Sequence, residues 1–134
     1  MKNLLKLSAV CLTLTLVSCN KEKTIEDELK EAAAGMNKLT PQVMNEGMRL
    51  DSVSAQPGKI FKYNYTLTDD AKENFSPEEI EAFKKQSKEG ALKVVKTSAD
   101  IKEFRDNDVT MVYSYYDKNG KPTMEYKIVP AEYK

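Results

Sequence analysis

The thiols of Cys11 and Cys19 are the strongest nucleophiles in this chain, and only one of them stands where a reaction is expected. Cys19 closes the tetrapeptide Leu16-Val17-Ser18-Cys19, with a branched residue at −3 and a small residue at −1. In that arrangement the thiol can take a diacylglyceryl group as a thioether, and the small Ser18 leaves the Ser18–Cys19 bond open to a peptidase. No histidine occurs among the 134 residues. Ser–His and Cys–His nucleophile pairs are therefore excluded, as are zinc sites of the usual ligand types. Five glycines, none grouped into a phosphate-cradling loop, argue against nucleotide chemistry.

The carboxylates are the remaining reactive groups. Asp69-Asp70 with Glu73, and Asp106-Asn107-Asp108, read as a turn before a helix and a helix stop before a strand. Asp117-Lys118-Asn119-Gly120 superficially suggests a calcium loop. With Gly120 at its sixth place, however, the first and twelfth places fall on Tyr115 and Tyr126, where acids are required. Two carboxylates suffice in principle for glycoside hydrolysis, yet a short chain without tryptophan has little material for a walled sugar cleft. An acid-only hydrolase is thus the third-ranked reading. The expectation is a protein that is not an enzyme, with no catalytic residue, no metal and no cofactor.

Lys2 and Lys6 precede the apolar run Leu7–Val17, which is too short for the ~20 residues of a bilayer span. Together with the tetrapeptide, which matches the bacterial lipobox, this predicts a lipoprotein signal peptide at 1–18 and a lipidated N-terminus and tether at 19–23. A single domain follows at 24–134. Cleavage between Ser18 and Cys19 leaves 116 residues, with 19 basic and 21 acidic side chains, because Lys2 and Lys6 are lost. Such a balance offers no footprint for nucleic acid. Each buried acyl CH₂ is worth ~0.8 kcal/mol, so the two or three chains on one cysteine hold a protein on a membrane. Cys19 would then be the only cysteine left, and no disulfide could form. Ser18-Cys19-Asn20-Lys21-Glu22 resembles the start of many Bacteroidota lipoproteins. Asn20, in place of an aspartate, favours the outer membrane over the inner one.

The elements that would position any site follow from periodicity and caps. Thr24 with Asp27 opens a helix whose apolar stripe is Ile25, Leu29, Ala32, Met36 and Leu39, with Ala32-Ala33-Ala34-Gly35 allowing close approach to a sheet. Arg49–Ser54 reads as a strand and Gln56-Pro57-Gly58-Lys59 as a turn. In Ile60–Thr68, Phe61, Tyr63, Tyr65 and Leu67 alternate with Lys62, Asn64 and Thr66. Ser76, Pro77 and Glu79 start a second helix as a capping box, with Phe75 stapled to Ile80. Ile80, Phe83, Ala91, Val94 and Val95 lie near one face, and Gly90 weakens the middle. Ser98 caps a short third helix. Val109–Tyr115 and Met124–Ile128 form a hairpin around Asp117–Gly120, closed by Pro130. The predicted class is α+β, a four-stranded antiparallel sheet with two or three helices on one face, in the order α-ββ-α(α)-ββ.

Met36-Asn37-Lys38, Pro41, Val43-Met44-Asn45 and Arg49-Leu50-Asp51-Ser52-Val53 form the most distinctive run. It is similar to a group of small bacterial envelope proteins with an Asn-Lys, Pro, Arg-Leu-Asp-Ser pattern, a tyrosine-rich strand and a closing Tyr-Tyr-Asp-x-x-Gly hairpin, here Tyr115–Gly120. Many of that group carry cysteines near the proline and before the last hairpin; this chain has Thr40 and Ser98 in those neighbourhoods, so the resemblance implies that a disulfide of that group is absent. The resemblance implies fold and address and no activity.

For recognition, Tyr63, Tyr65, Tyr113 and Tyr115 read as core, whereas Tyr116 and Tyr133 fall off that face and are the exposed candidates. Lys84, Lys85 and Lys88, interleaved with glutamates, read as a solvated face. The leading functional expectation is a non-catalytic accessory or protein-binding lipoprotein of the envelope, including an immunity or inhibitor type. Its partners would be the membrane, through its lipid, and another envelope protein. A structural envelope-maintenance lipoprotein is the alternative.

Overall fold

The computed structural model describes residues 21–134; Ser18 and Cys19 lie outside them. Helix α1 (Ile25–Asn37) is followed by strands β1 (Gln42–Asn45), β2 (Met48–Gln56) and β3 (Ile60–Leu67), a 3₁₀ turn at Lys72–Asn74, and the long helix α2 (Pro77–Thr97). A 3₁₀ turn at Ala99–Ile101 leads into α3 (Lys102–Asp106), then β4 (Thr110–Tyr116), β5 (Pro122–Ile128) and the short α4 (Pro130–Tyr133). The strands form one sheet in sequence order, with α1 and α2 on the same face. The class is α+β, as the periodicities imply.

The sheet differs from the expected one in two respects. It has five strands, because Gln42–Asn45 pairs with β2 as an edge strand. Four residues, all exposed and without alternation, give no pattern from which to read it. The sheet is also mixed: β3 and β4 run parallel, from Ile60↔Thr110 to Thr66↔Tyr116, while the other pairs are antiparallel. The cause is α2. Its 21 residues span roughly 31 Å at 1.5 Å per residue. The chain is thereby carried back along the whole length of β3, as in a βαβ crossover.

Local chemistry accounts for the helices. Both Thr24–Asp27 and Ser76–Glu79 form reciprocal capping boxes. The stripe of α1 is rotated slightly from the expected one: Leu29 and Ala33 are buried, Ile25, Ala32 and Met36 pack around them, and Leu39 lies beyond the helix in solvent. A methyl at Gly35 would meet nothing within 4 Å, so the alanines and not the glycine make the close approach. Gly90 does not interrupt α2. At the C-terminus Pro130 starts a helical turn, in which the Glu132 carboxylate accepts the Val129 N–H at 2.9 Å.

Two clusters make one continuous core. Leu29, Ala33, Leu50, Val53, Phe61 and Val109 pack under α1. Val95 packs with Met111, Tyr113, Tyr115, Met124, Tyr126 and Ile128 under α2, and Tyr63, Tyr65 and Phe104 join the two. The turn between β4 and β5 is fixed by Asp117, which is fully buried. Its carboxylate accepts the N–H groups of Asn119, Lys121 and Lys72, each at 2.8 Å, and so ties the hairpin tip to the loop before α2.

Candidate functional site: a tyrosine-floored groove

Strands β3, β4 and β5 bring five tyrosines onto one face. Parallel pairing sets Tyr63 beside Tyr113 and Tyr65 beside Tyr115, and antiparallel pairing sets Tyr126 beside Tyr113. The rings stack in rows: 5.0 Å and 11° for Tyr63–Tyr113, 4.9 Å and 18° for Tyr113–Tyr126, 5.0 Å and 18° for Tyr65–Tyr115. Each such pair contributes about 0.5–1.5 kcal/mol beyond the area it buries. Rings stacked flank to flank present their edges, and hence their hydroxyls, away from the sheet.

Above them lies a groove of about 670 Å³. Its walls are Phe83, Gln86, Ser87, Ala91 and Val94 on α2 and the β1–β2 turn from Met44 to Met48. Gly47 makes that turn possible at φ +83, a conformation that other residues adopt only with strain. The rim is apolar and wet: Met44 is 46 % exposed, Phe83 36 % and Val94 57 %. Phe83 meets the edge of Tyr115 with centroids 5.6 Å apart. A smaller apolar space of about 180 Å³, lined by Phe75, Glu79 and Ile80, shares Leu67 and Phe83 with the groove and extends it.

The floor is polar without being charged. The hydroxyls of Tyr115 and Tyr126 stand 3.4 Å apart. Among the described residues those of Tyr63, Tyr65 and Tyr113 have no hydrogen-bond partner; no buried side-chain polar atom goes unpaired, so they open onto the groove. Burial pushes the Tyr63 phenol up to about 12 and raises Tyr65, Tyr113, Tyr115 and Tyr126 as well. These groups are neutral donors and acceptors at physiological pH and hold no phenolate to act as a base. No cluster of three metal-ligating side chains occurs among the described residues. An apolar rim over neutral hydroxyls has the chemistry to suit an amphipathic occupant.

The residues singled out from sequence are scattered. Tyr133 is not exposed: 93 % of its surface is removed from solvent, and its hydroxyl donates to the Val109 carbonyl at 2.7 Å. The α4 turn swings the ring inward, which a reading of Pro130 as a mere strand end overlooks. Tyr116 lies half-buried on the opposite face of the sheet, beside Ser114, Thr123 and Glu125. Of the three lysines, Lys88 pairs with Glu132 at 2.7 Å. The tyrosines assigned to the core do pack there, and they also floor the groove. Periodicity does not reveal the rim: Phe83 and Val94 sit on a helix stripe, which reads as buried until the neighbouring element is known to leave a gap, and Met44 lies on an edge strand without alternation.

Comparison with known proteins places this geometry among solved folds. A secreted protein of Pseudomonas aeruginosa matches with a TM-score of 0.62 at 12 % identity, over 84 % of this chain and 98 % of its own. The pilotin of the Vibrio vulnificus type II secretion system matches with a TM-score of 0.64 at 11 % identity, over 82 % and 92 %. The type II secretion system pilotin of Vibrio cholerae gives 0.58 at 13 %, over 81 % and 91 %. At these identities the likeness is one of fold. No curated protein matches the sequence. Residues 22–124 match a family described as a domain of unknown function, DUF8479, and the chain belongs to that family.

Proposed function

We propose that the protein is a non-catalytic accessory lipoprotein of the cell envelope, anchored through an acylated Cys19 and holding an apolar segment of another envelope protein in the tyrosine-floored groove. The observation that carries this reading is the rim. Among the described residues, three of the five large apolar side chains that stand exposed, Met44, Phe83 and Val94, gather around one groove and not over the surface at large. Contiguous apolar surface of this kind, with a few convergent polar groups beneath it, marks a recognition site. The fold shared with two secretion-system pilotins and a secreted protein supports an envelope setting. The Leu16–Cys19 tetrapeptide supports the anchor.

The test is affinity isolation from envelope extracts in three parallel arms. Wild type and Tyr116→Ala, which alters the far face, should retain one stoichiometric protein that Phe83→Asp loses. Equal recovery with all three would remove the groove from the reading, and recovery of no partner by any of them would return the protein to envelope maintenance. For the anchor, labelled palmitate should enter wild type and not Cys19→Ala; equal incorporation would refute it.

A further inference from the structure

Resting on the docking reading above, we infer that the groove selects an apolar segment bearing lysine or arginine at one end, with that end seated beside Leu67. The groove and its extension share Leu67 and Phe83 and so form one trough along α2. From Glu79 to Val94 it follows fifteen residues of helix, about 22 Å.

Every charge on its wall is negative. Among the described residues no lysine or arginine lines the trough. Helix α2 carries five lysines, at 84, 85, 88, 93 and 96, yet it turns Phe83, Gln86, Ser87, Ala91 and Val94 toward the space. The two charged residues that do line it are Glu46 and Glu79.

Both stand at the same end. Glu46 lies in the turn that leads into Met48, whose strand partner is Leu67, and Glu79 lines the extension with Leu67. Glu46 has no ion-pair or hydrogen-bond partner among the described residues. Glu79 accepts the Ser76 N–H at 2.8 Å, a bond that holds its carboxyl below the usual range and therefore charged. The lysines of the neighbouring loops are engaged elsewhere: Lys118 is directed at the Asp69 carbonyl, 3.5 Å away, and Lys72 donates to the Pro122 carbonyl at 2.9 Å. The opposite end, at Val94 and Ile101, carries no charge.

A cleft lined by one sign of charge and walled by apolar side chains concentrates its field instead of losing it to solvent. An occupant with a cation at the Leu67 end gains charge-assisted bonds there. One with an anion meets repulsion, and the phenols of the floor, although they can donate hydrogen bonds, carry no positive charge to cancel it.

The chain has no tryptophan, so one tryptophan in a synthetic probe reports its own burial. Two leucine-rich fourteen-residue peptides, one ending in three lysines and the other in three glutamates, are titrated into the purified full chain. The lysine-ended peptide should bind at least tenfold more tightly. Raising the salt to 1 M or changing Glu46→Gln should shrink that advantage several-fold. Equal affinities, or a preference untouched by salt and by Glu46→Gln, overturn the charge selection. If the affinities are equal and Phe83→Asp abolishes both, docking in the groove survives without charge selection. If Phe83→Asp changes neither, or if neither peptide binds, the docking reading falls with it.

Discussion

The carboxamide of Asn37 makes both hydrogen bonds that a neighbouring strand would make to Val53. Its Nδ2 donates to the Val53 carbonyl and its Oδ1 accepts the Val53 N–H, each at 2.8 Å. The pair is needed because β1 covers β2 only from Met48 to Leu50. Beyond that point the edge of β2 has no strand, and the last residue of α1 substitutes for one. The same contact locks α1 onto the sheet at the place where the chain leaves the helix.

Replacing Asn37 by alanine should therefore leave a partly buried N–H and C=O unpaired at once. The expected loss is about 1–3 kcal/mol, read as a lower midpoint in urea denaturation. Asn37→Asp should recover only part of it, since a carboxylate can accept the Val53 N–H but opposes the Val53 carbonyl.

Asp117 predicts a pH dependence. Its carboxyl is held below the ordinary aspartate value of 3.8, first by the Lys72 N–H and then by those of Lys121 and Asn119. A depressed folded-state value means that the stabilisation is complete above 3.8 and is lost as pH falls through the folded value. Asp117→Asn should unfold at lower urea than wild type at pH 7, with the gap closing in acid. A gap that stays constant down to pH 2 would show that the charge contributes nothing.

The tyrosines predict the opposite limb. Phenols at 63, 65, 113, 115, 126 and 133 are all raised above the ordinary value of 10 by burial. The native state thus keeps protons that the unfolded chain releases, and stability falls as pH rises beyond 10. Phenolate absorbance should rise together with the loss of the circular dichroism signal. Phenolate formed by most of the seven tyrosines in a still-folded protein would contradict the stacked floor.

Tyr133→Phe isolates one bond, the 2.7 Å contact to the Val109 carbonyl, and should cost about 0.5–1.5 kcal/mol. Tyr133→Ala also removes the ring from the core and should cost about 3–5 kcal/mol, as for other large buried aromatics. Thermal melts of the two variants distinguish a hydroxyl that matters from a ring that only fills space.

Sequence alone determined whatever is decided within one or two turns of chain. Thr24 and Ser76 start helices because their hydroxyls meet orphan N–H groups three residues on. The alternation of Phe61, Tyr63, Tyr65 and Leu67 makes a half-buried strand, and Asn119-Gly120 turns a hairpin. Such patterns are local, and the structure reproduces them with small shifts in phase. Tertiary structure decided the rest. Whether β4 lies parallel or antiparallel to β3 depends on where a 21-residue helix sets the chain down, which no window of sequence encodes. Tyr133 is buried, and Phe83 is not, because of what stands opposite each of them. The groove exists only because α2 and the β1–β2 turn, some thirty residues apart, come to rest with a gap between them over five tyrosines. Hydrophobic pattern specifies which face of an element seeks cover, and packing decides where the cover stops.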